Sequence, residues 1–138
     1  MPIIRAGERH DLEAVAAMQA GSPEAAQWDA ADYLQYDFRV WVEESRVGAF
    51  LVARRAAADE SELLNLVVAP EFRGKGIARA LLRDLVRTHR GSLYLEVRES
   101  NLPARNLYNS MGFQEVNIRA KYYQSPPEAA IVMKFHSC

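Results

Sequence analysis

The stretch Leu63 to Leu82, LLNLVVAPEFRGKGIARALL, limits what this chain can fold into more than any other. Leu63–Val68 is a short, apolar, partly β-branched run, the pattern of a buried strand. Pro70 stops it, because proline has no amide hydrogen for a sheet ladder. From Arg73-Gly74-Lys75-Gly76-Ile77-Ala78 onward the apolar residues recur at helical spacing, with Ile77, Leu81 and Leu85 on one row and Ala78, Leu82 and Val86 on the next. A strand therefore feeds a glycine-containing turn, and a helix is expected from Gly74 to about Thr88. First-turn amide hydrogens have no partner inside their helix, and together with the helix dipole they favour an anion. Gly74 and Gly76 remove side chains that would keep a phosphate from the backbone, while Arg73, Lys75 and Arg79 bring positive charge. The stretch reads as a cradle for a pyrophosphate. It is not a Walker loop, since no GxxxxGK followed by Ser or Thr occurs. Nor is it a dinucleotide fingerprint, because Arg79 stands where the third glycine would be.

Around this centre the chain reads as alternating short elements. Ile3-Ile4-Arg5 is a first strand. Asp11 to Ala20 has a helical pattern, with Leu12, Val15 and Met18/Gln19 on one face. Gly21-Ser22-Pro23 ends that helix and starts another, Ser22 as cap and Pro23 at the first position, running loosely to about Tyr36. It carries Trp28, Tyr33 and Leu34, which read either as core or as a wall facing a substrate. Arg39–Glu43 and Val47–Arg54 form a hairpin about Ser45-Arg46, and Ala56–Glu60 is a polar loop. Glu62–Val68 is the central strand. Gly91 suits the C-terminal cap of the helix that follows. Leu93–Val97 is a strand with one acid, Glu96, inside an apolar run. Asn101 caps a helix whose Ala104, Leu107, Tyr108 and Met111 share a face, with Gly112 past its end. Phe113–Ala120 is a strand, Tyr122–Pro127 a loop, and Ala129–Phe135 a last strand. The expected fold is α/β, with one central mixed sheet and helices on both faces. Leu93–Val97 lies beside the central strand after a right-handed crossover.

A length of 138 residues suits one domain spanning 1–138, with a core of its own. The formal net charge of −1 gives no basic footprint for nucleic acid. The start MPIIRAGERHD lacks a signal-peptide layout and no apolar run is long enough for a membrane, so a cytoplasmic protein is expected. The single cysteine, Cys138, has no internal partner for a disulfide and sits at a poor place for a nucleophile. His10, His89 and His136 have no ligand spacing; they are expected at the surface, and no metal is expected.

The hexapeptide Arg73 to Ala78, R-x-x-G-x-A after a strand ending in V-x-P, resembles the acyl-CoA-binding motif of the GNAT N-acetyltransferase superfamily. A second stretch, Leu95-Glu96-Val97-Arg98-Glu99-Ser100-Asn101 through Ala104, Leu107-Tyr108 and Gly112-Phe113, resembles the same family's L-x-V-x-x-x-N-x-x-A-x-x-L-Y-x-x-x-G-F pattern. The resemblance is tight over about Glu62 to Gly112. It implies a mostly antiparallel sheet of about seven strands flanked by four helices. It also implies acetyl-CoA as co-substrate and direct transfer without an acyl-enzyme. Glu96-Val97-Arg98-x-Ser100-Asn101, Trp28, and Tyr122-Tyr123 ahead of Glu128-Ala129-Ala130-Ile131-Val132-Met133 look like the branch that acetylates the N-terminal alanine of a small-subunit ribosomal protein. That branch usually has Pro-Trp-Ser where this chain has Ala26-Gln27-Trp28-Asp29, and Glu-Asp-Ala where it has Glu128-Ala129-Ala130. Both departures fall on the acceptor side.

The residues agree with direct transfer, since no Ser/His/Asp or Cys/His nucleophile set is visible. Glu96 is the candidate base for the amine, directly or through water, with a salt-bridged or edge-exposed acid as the alternative. Tyr108, matching the family's L-Y tyrosine, is the candidate acid for the leaving thiolate, or else a core tyrosine. The pantetheine is expected on backbone groups of Leu66, Val67 and Val68, and the pyrophosphate on amides from Gly74 through Lys75, Gly76, Ile77 and Ala78 to Arg79. Asn101 matches a CoA-contacting asparagine and is also the helix cap. Arg73 faces phosphate or solvent. The acceptor is a protein N-terminus or a small amine, and a CoA-binding module without catalysis is the reading from another class. Acetyl or longer acyl donor, and the oligomeric state, stay open.

Overall fold

The computed structural model describes every residue except Ser125, Pro126 and Cys138; the expectations for Cys138 and for the Ser125-Pro126 part of the loop fall outside it. Seven strands, β1 (Ile3–Ala6), β2 (Asp37–Glu43), β3 (Arg46–Ala57), β4 (Glu60–Val68), β5 (Gly91–Arg98), β6 (Gln114–Gln124) and β7 (Pro127–Ser137), form one sheet in the order β1-β2-β3-β4-β5-β7-β6. Every pair is antiparallel except β4 and β5. A parallel neighbour needs a crossover, and helix α2 (Ile77–Thr88) supplies it. Helices α1 (Leu12–Ala20) and α3 (Leu102–Ser110) and a 3₁₀ helix, Ala30–Gln35, complete the four flanking segments, with single 3₁₀ turns at Arg9–Asp11 and Pro70–Phe72.

Strand alternation divides the core in two. On one face α2 and α3 pack Ile77, Leu81, Leu82, Leu85 and Tyr108 onto Trp41, Leu51, Leu63, Leu95, Val97 and Met133. On the other, α1 and the 3₁₀ helix pack Val15 and Tyr33 onto Val40, Val42, Phe50, Val52 and Val67. Of the helical rows read in α2, Ile77, Leu81, Leu85 and Leu82 are buried, each at most 6% exposed, while Ala78 and Val86 are half-buried.

Several local expectations change. The second helix does not form over Ser22–Tyr36; only Ala30–Gln35 coils, capped by Asp29 accepting from Ala31 N–H. The carbonyls of the preceding segment are taken by side chains: Trp28 O by Gln19 Nε2 at 2.5 Å and Ala26 O by Asn65 Nδ2 at 2.9 Å. α2 begins at Ile77, not Gly74, because Gly74 and Gly76 both have left-handed φ, 77° and 79°. Gly91 does not cap α2. It opens β5 at φ 94°, where a Cβ would lie 2.2 Å from Asp59 O. Tyr122 and Tyr123 are not in a loop, since β6 and β7 go on pairing through Tyr123↔Glu128 and Gln124↔Pro127. His10 and His136 are exposed, whereas His89 is half-buried beside Ser92 O.

β4 is where the sheet opens. It pairs with β5 only over Glu60–Glu62 against Ser92–Tyr94. Against β3, the register passes from Ala53↔Leu63 to Val52↔Asn65, so Leu64 is an extra residue. Such a bulge puts two neighbouring side chains on one face and bends its strand. Leu64 and Asn65 both lie on the α1 side. From there β4 follows β3 while β5 follows β7 up to Arg98↔Ala130, which leaves a cleft between the two parallel strands.

Candidate active site

The cleft has an anion cradle at its mouth. Gly74 and Gly76 have positive φ and Lys75 between them does not, an alternation that turns successive N–H groups toward one point. Ala80 N–H is the first to bond back into the helix, to Gly76 O at 3.0 Å, so the amides of Ile77, Ala78 and Arg79 stay available. A Cβ built on Gly74 or Gly76 meets nothing within 4 Å. Among the described residues Arg73, Lys75 and Arg79 make no ion pair. Lys75 Nζ lies over the Phe72 ring at 5.5 Å and Arg79 donates to Ser110 Oγ at 2.8 Å. Arg73 is exposed, and its guanidinium folds back, Nε donating to Val68 O at 3.0 Å and Nη2 to Ser22 Oγ at 3.3 Å.

The β4 wall presents two backbones to the cleft rather than three. Ala69 N–H donates to Gly48 O, and antiparallel alternation then turns Val67 toward Phe50 on β3 and Leu66 and Val68 toward the opening. Val67 therefore leaves the set of free backbones, and its side chain is buried on the α1 face. Leu66 N–H is held by Asn65 Oδ1 at 3.1 Å.

Glu96 sits on β5 beyond its last pairing with β4. Its Oε1 accepts from Arg119 Nη1 at 2.6 Å, so it is salt-bridged; its Oε2 is buried with no partner among the described residues. An unpaired buried oxygen is costly and fits an incoming N–H or water donor. Arg119 lies over the Tyr122 ring at 3.9 Å and Arg98 over the Tyr123 ring at 4.2 Å. Burial first, then the negative charge of Glu96, pushes the Tyr123 phenol up to about 12. Tyr108, on the inner face of α3, packs on Phe113 with ring centres 5.6 Å apart. Burial, with a smaller contribution from Tyr123, raises its phenol far above the ordinary value. Its hydroxyl has no hydrogen-bond partner among the described residues. Tyr123 thus lies within electrostatic reach of both Glu96 and Tyr108. Sequence reasoning missed this role, although the Tyr122-Tyr123 pair before the last strand was a signal.

Asn101 caps α3, its Oδ1 accepting from Ala104 N–H at 3.3 Å. Glu128 is held by the Ser100 hydroxyl first, then by Ser100 N–H at 2.5 Å and by Arg98, which keep its carboxyl below the usual range. Among the described residues no group of three His, Cys, Asp or Glu is placed to hold a metal ion. No helix there is long and apolar enough to cross a membrane.

Comparison with known proteins agrees with this geometry. A bS18-alanine N-acetyltransferase of Haemophilus ducreyi, named for a ribosomal protein, is 38% identical over 103 residues, 70% of each chain. Its Escherichia coli counterpart is 39% identical over 97 residues, 66% of this chain and 65% of that one. The crystal structure of the E. coli ribosomal-protein-S18-alanine N-acetyltransferase superposes with a TM-score of 0.85 at 31% identity, covering 100% of this chain and 96% of that one. Ard1 of Thermoplasma volcanium gives 0.90 at 25%, covering 99% and 98%. The profile described as Acetyltransferase (GNAT) family matches residues 9–113. The matched profile spans well over half of the chain, and together with these relatives it shows that this chain belongs to the GNAT family of acetyltransferases.

Proposed function

We propose that this acetyltransferase moves an acetyl group from acetyl-CoA directly to the N-terminal α-amine of a protein, of the ribosomal-protein alanine type. The observation that carries the proposal is the buried, unpartnered Glu96 Oε2 on β5 just beyond its last pairing with β4, together with the anion cradle ahead of α2. The relatives named above for a ribosomal protein favour the acceptor, and a cytoplasmic site of action goes with it.

The donor's pyrophosphate suits the amides from Gly74 to Arg79, and its pantetheine amides suit the cleft-facing backbones of Leu66 and Val68, with Asn101 beside them. Glu96 Oε2 takes the acceptor's proton, directly or through water. An α-amine titrates near about 7.7–8.0, so a modest base is enough. The amine nitrogen attacks the thioester carbon, the C–N bond forms, the C–S bond breaks, and the thiolate takes the Tyr108 proton. With the phenol raised by burial, Tyr108 stays protonated through the neutral range and remains an acid.

The test is CoA release from acetyl-CoA with short peptides of varied first residue, beside a panel of small amines. Fast turnover on the alanine-start peptide and little on polyamines or amino acids is expected. The reverse pattern moves the acceptor to metabolites. Tight acetyl-CoA binding with no turnover on any acceptor makes the chain a binding module.

Gly76→Ala tests the cradle. A side chain at φ 79° costs about 1–2 kcal/mol, read as a lower Tm. Calorimetry is expected to show acetyl-CoA Kd rising on the order of tenfold, since the turn that aims the amides relaxes.

A further inference from the structure

Gln19, Ser22, Tyr33 and Asn65 are polar, buried and unused by the chemistry above. Their contacts converge on one segment, Ser22–Asp29. Asn65 Nδ2 donates to Ala26 O at 2.9 Å and to Gln19 Oε1 at 3.0 Å, and lies 3.2 Å from the Tyr33 hydroxyl. The Tyr33 hydroxyl in turn donates to Gln19 Oε1, and Gln19 Nε2 to Trp28 O. From outside, exposed Gln27 folds inward, its Nε2 donating to Gln19 O at 2.9 Å, Ser22 O at 3.3 Å and Ala25 O at 3.2 Å. The segment has no helix of its own, so these bonds set its path.

The same side chains reach the open edge of β4. Asn65 Oδ1 holds Leu66 N–H, and Arg73 holds Val68 O while also touching Ser22 Oγ. Each backbone that β4 turns to the cleft is therefore joined, through one side chain, to the Ser22–Asp29 segment. The segment lies on the face opposite α2, so a molecule threaded through the cleft meets the donor cradle on one side and this segment on the other. Trp28 is fixed there by its carbonyl, while the residue is left 50% exposed.

We infer that Asn65 is a positioning residue for the acceptor: it locks Ser22–Asp29 to the bulge of β4, so that Trp28 stands as a fixed wall against which the acceptor binds. This rests on the acetyl-transfer reading and adds to it the residue that sets acceptor affinity. Asn65→Asp keeps an oxygen for Leu66 N–H but removes the donor to Ala26 O and sets a carboxylate against that carbonyl. The segment is then released while the donor edge keeps its bond.

The experiment is steady-state kinetics of N65D with acetyl-CoA and an alanine-start peptide, with acrylamide quenching of tryptophan fluorescence. Trp41, buried against Phe72, is the constant background. The acceptor KM is expected to rise on the order of tenfold, as for loss of about one good hydrogen bond, with acetyl-CoA KM within about twofold and kcat little changed. Trp28 quenching is expected to increase. Equal rises in both KM values, or an unmoved acceptor KM, overturn the proposal. If N65D does not fold, Q27A decides by the same split, because it loosens the segment from the exposed side. If the wild type ignores the peptide and turns over a small amine, the acceptor class proposed above fails, and the same split measured with that amine still judges Asn65.

Discussion

Tyr108→Phe is expected to lower kcat by on the order of 10²–10⁴-fold while leaving the Kd for acetyl-CoA within about twofold. The ring stays, so its packing on Phe113 and on the sheet is kept; only the proton donor leaves. A thiolate's conjugate acid titrates near about 8.5, so without a donor the departing sulfur must take its proton from solvent, which the buried face of α3 restricts. Burial holds the Tyr108 phenol above its ordinary value, so the wild type should show no loss of activity from its ionisation up to about pH 10. Single-turnover kinetics with calorimetry of donor binding reads both halves. An unchanged kcat would remove Tyr108 from the chemistry and return it to the core.

Glu96→Gln is expected to cost on the order of 10²-fold or more in kcat/KM near pH 7, with the defect narrowing as pH rises past about 8. The sign follows from the acceptor. Below its own titration the α-amine arrives protonated and needs Glu96 Oε2 to take the proton. Above it the amine arrives free, and the missing base matters less. Gln keeps an oxygen for Arg119, so the pair at 2.6 Å is weakened rather than abolished. A pH series on peptide turnover measures this. A defect of constant size from pH 6.5 to 9 would make Glu96 a structural partner of Arg119 and not the base.

Some of this site could be read from the chain because its residues answer to local rules. Ile77, Leu81 and Leu85 repeat at helical spacing, Asn101 precedes a first turn, and Glu96 interrupts an apolar run. Tyr108 falls on the row of Ala104, Leu107 and Met111, and that face is the inner one. Other parts depend on partners far away in sequence. Tyr123 reads as a loop residue until the β6–β7 register extends past Arg119↔Ala130 to Tyr123↔Glu128. Ser22–Asp29 reads as a helix because Pro23 and Ser22 are good starters, but Asn65, some forty residues on, takes the Ala26 carbonyl that a helix would have needed. Val67 looks equivalent to Leu66 and Val68 until Ala69 N–H, bonded to Gly48 O, fixes which way each backbone turns. The bulge is silent in composition, since Leu63-Leu64-Asn65-Leu66 would pass for a regular strand.

That extra residue makes the site a matter of counting rather than of chemistry. Deleting Leu64 would leave every proposed reactive side chain in place along the chain and, because Leu64 and Asn65 share the α1 face, would keep Asn65 to Val68 on their present faces; what it would remove is the bend. Without the bend the strand would be free to run on alongside β5 past Glu62↔Tyr94 and shut the cleft. Point substitutions and single-residue length changes in Glu62–Leu66 are therefore different kinds of event. The first perturbs an existing cleft by degrees, while the second decides whether a cleft exists, so a lineage that keeps this activity is free to vary the letters here far more than their number.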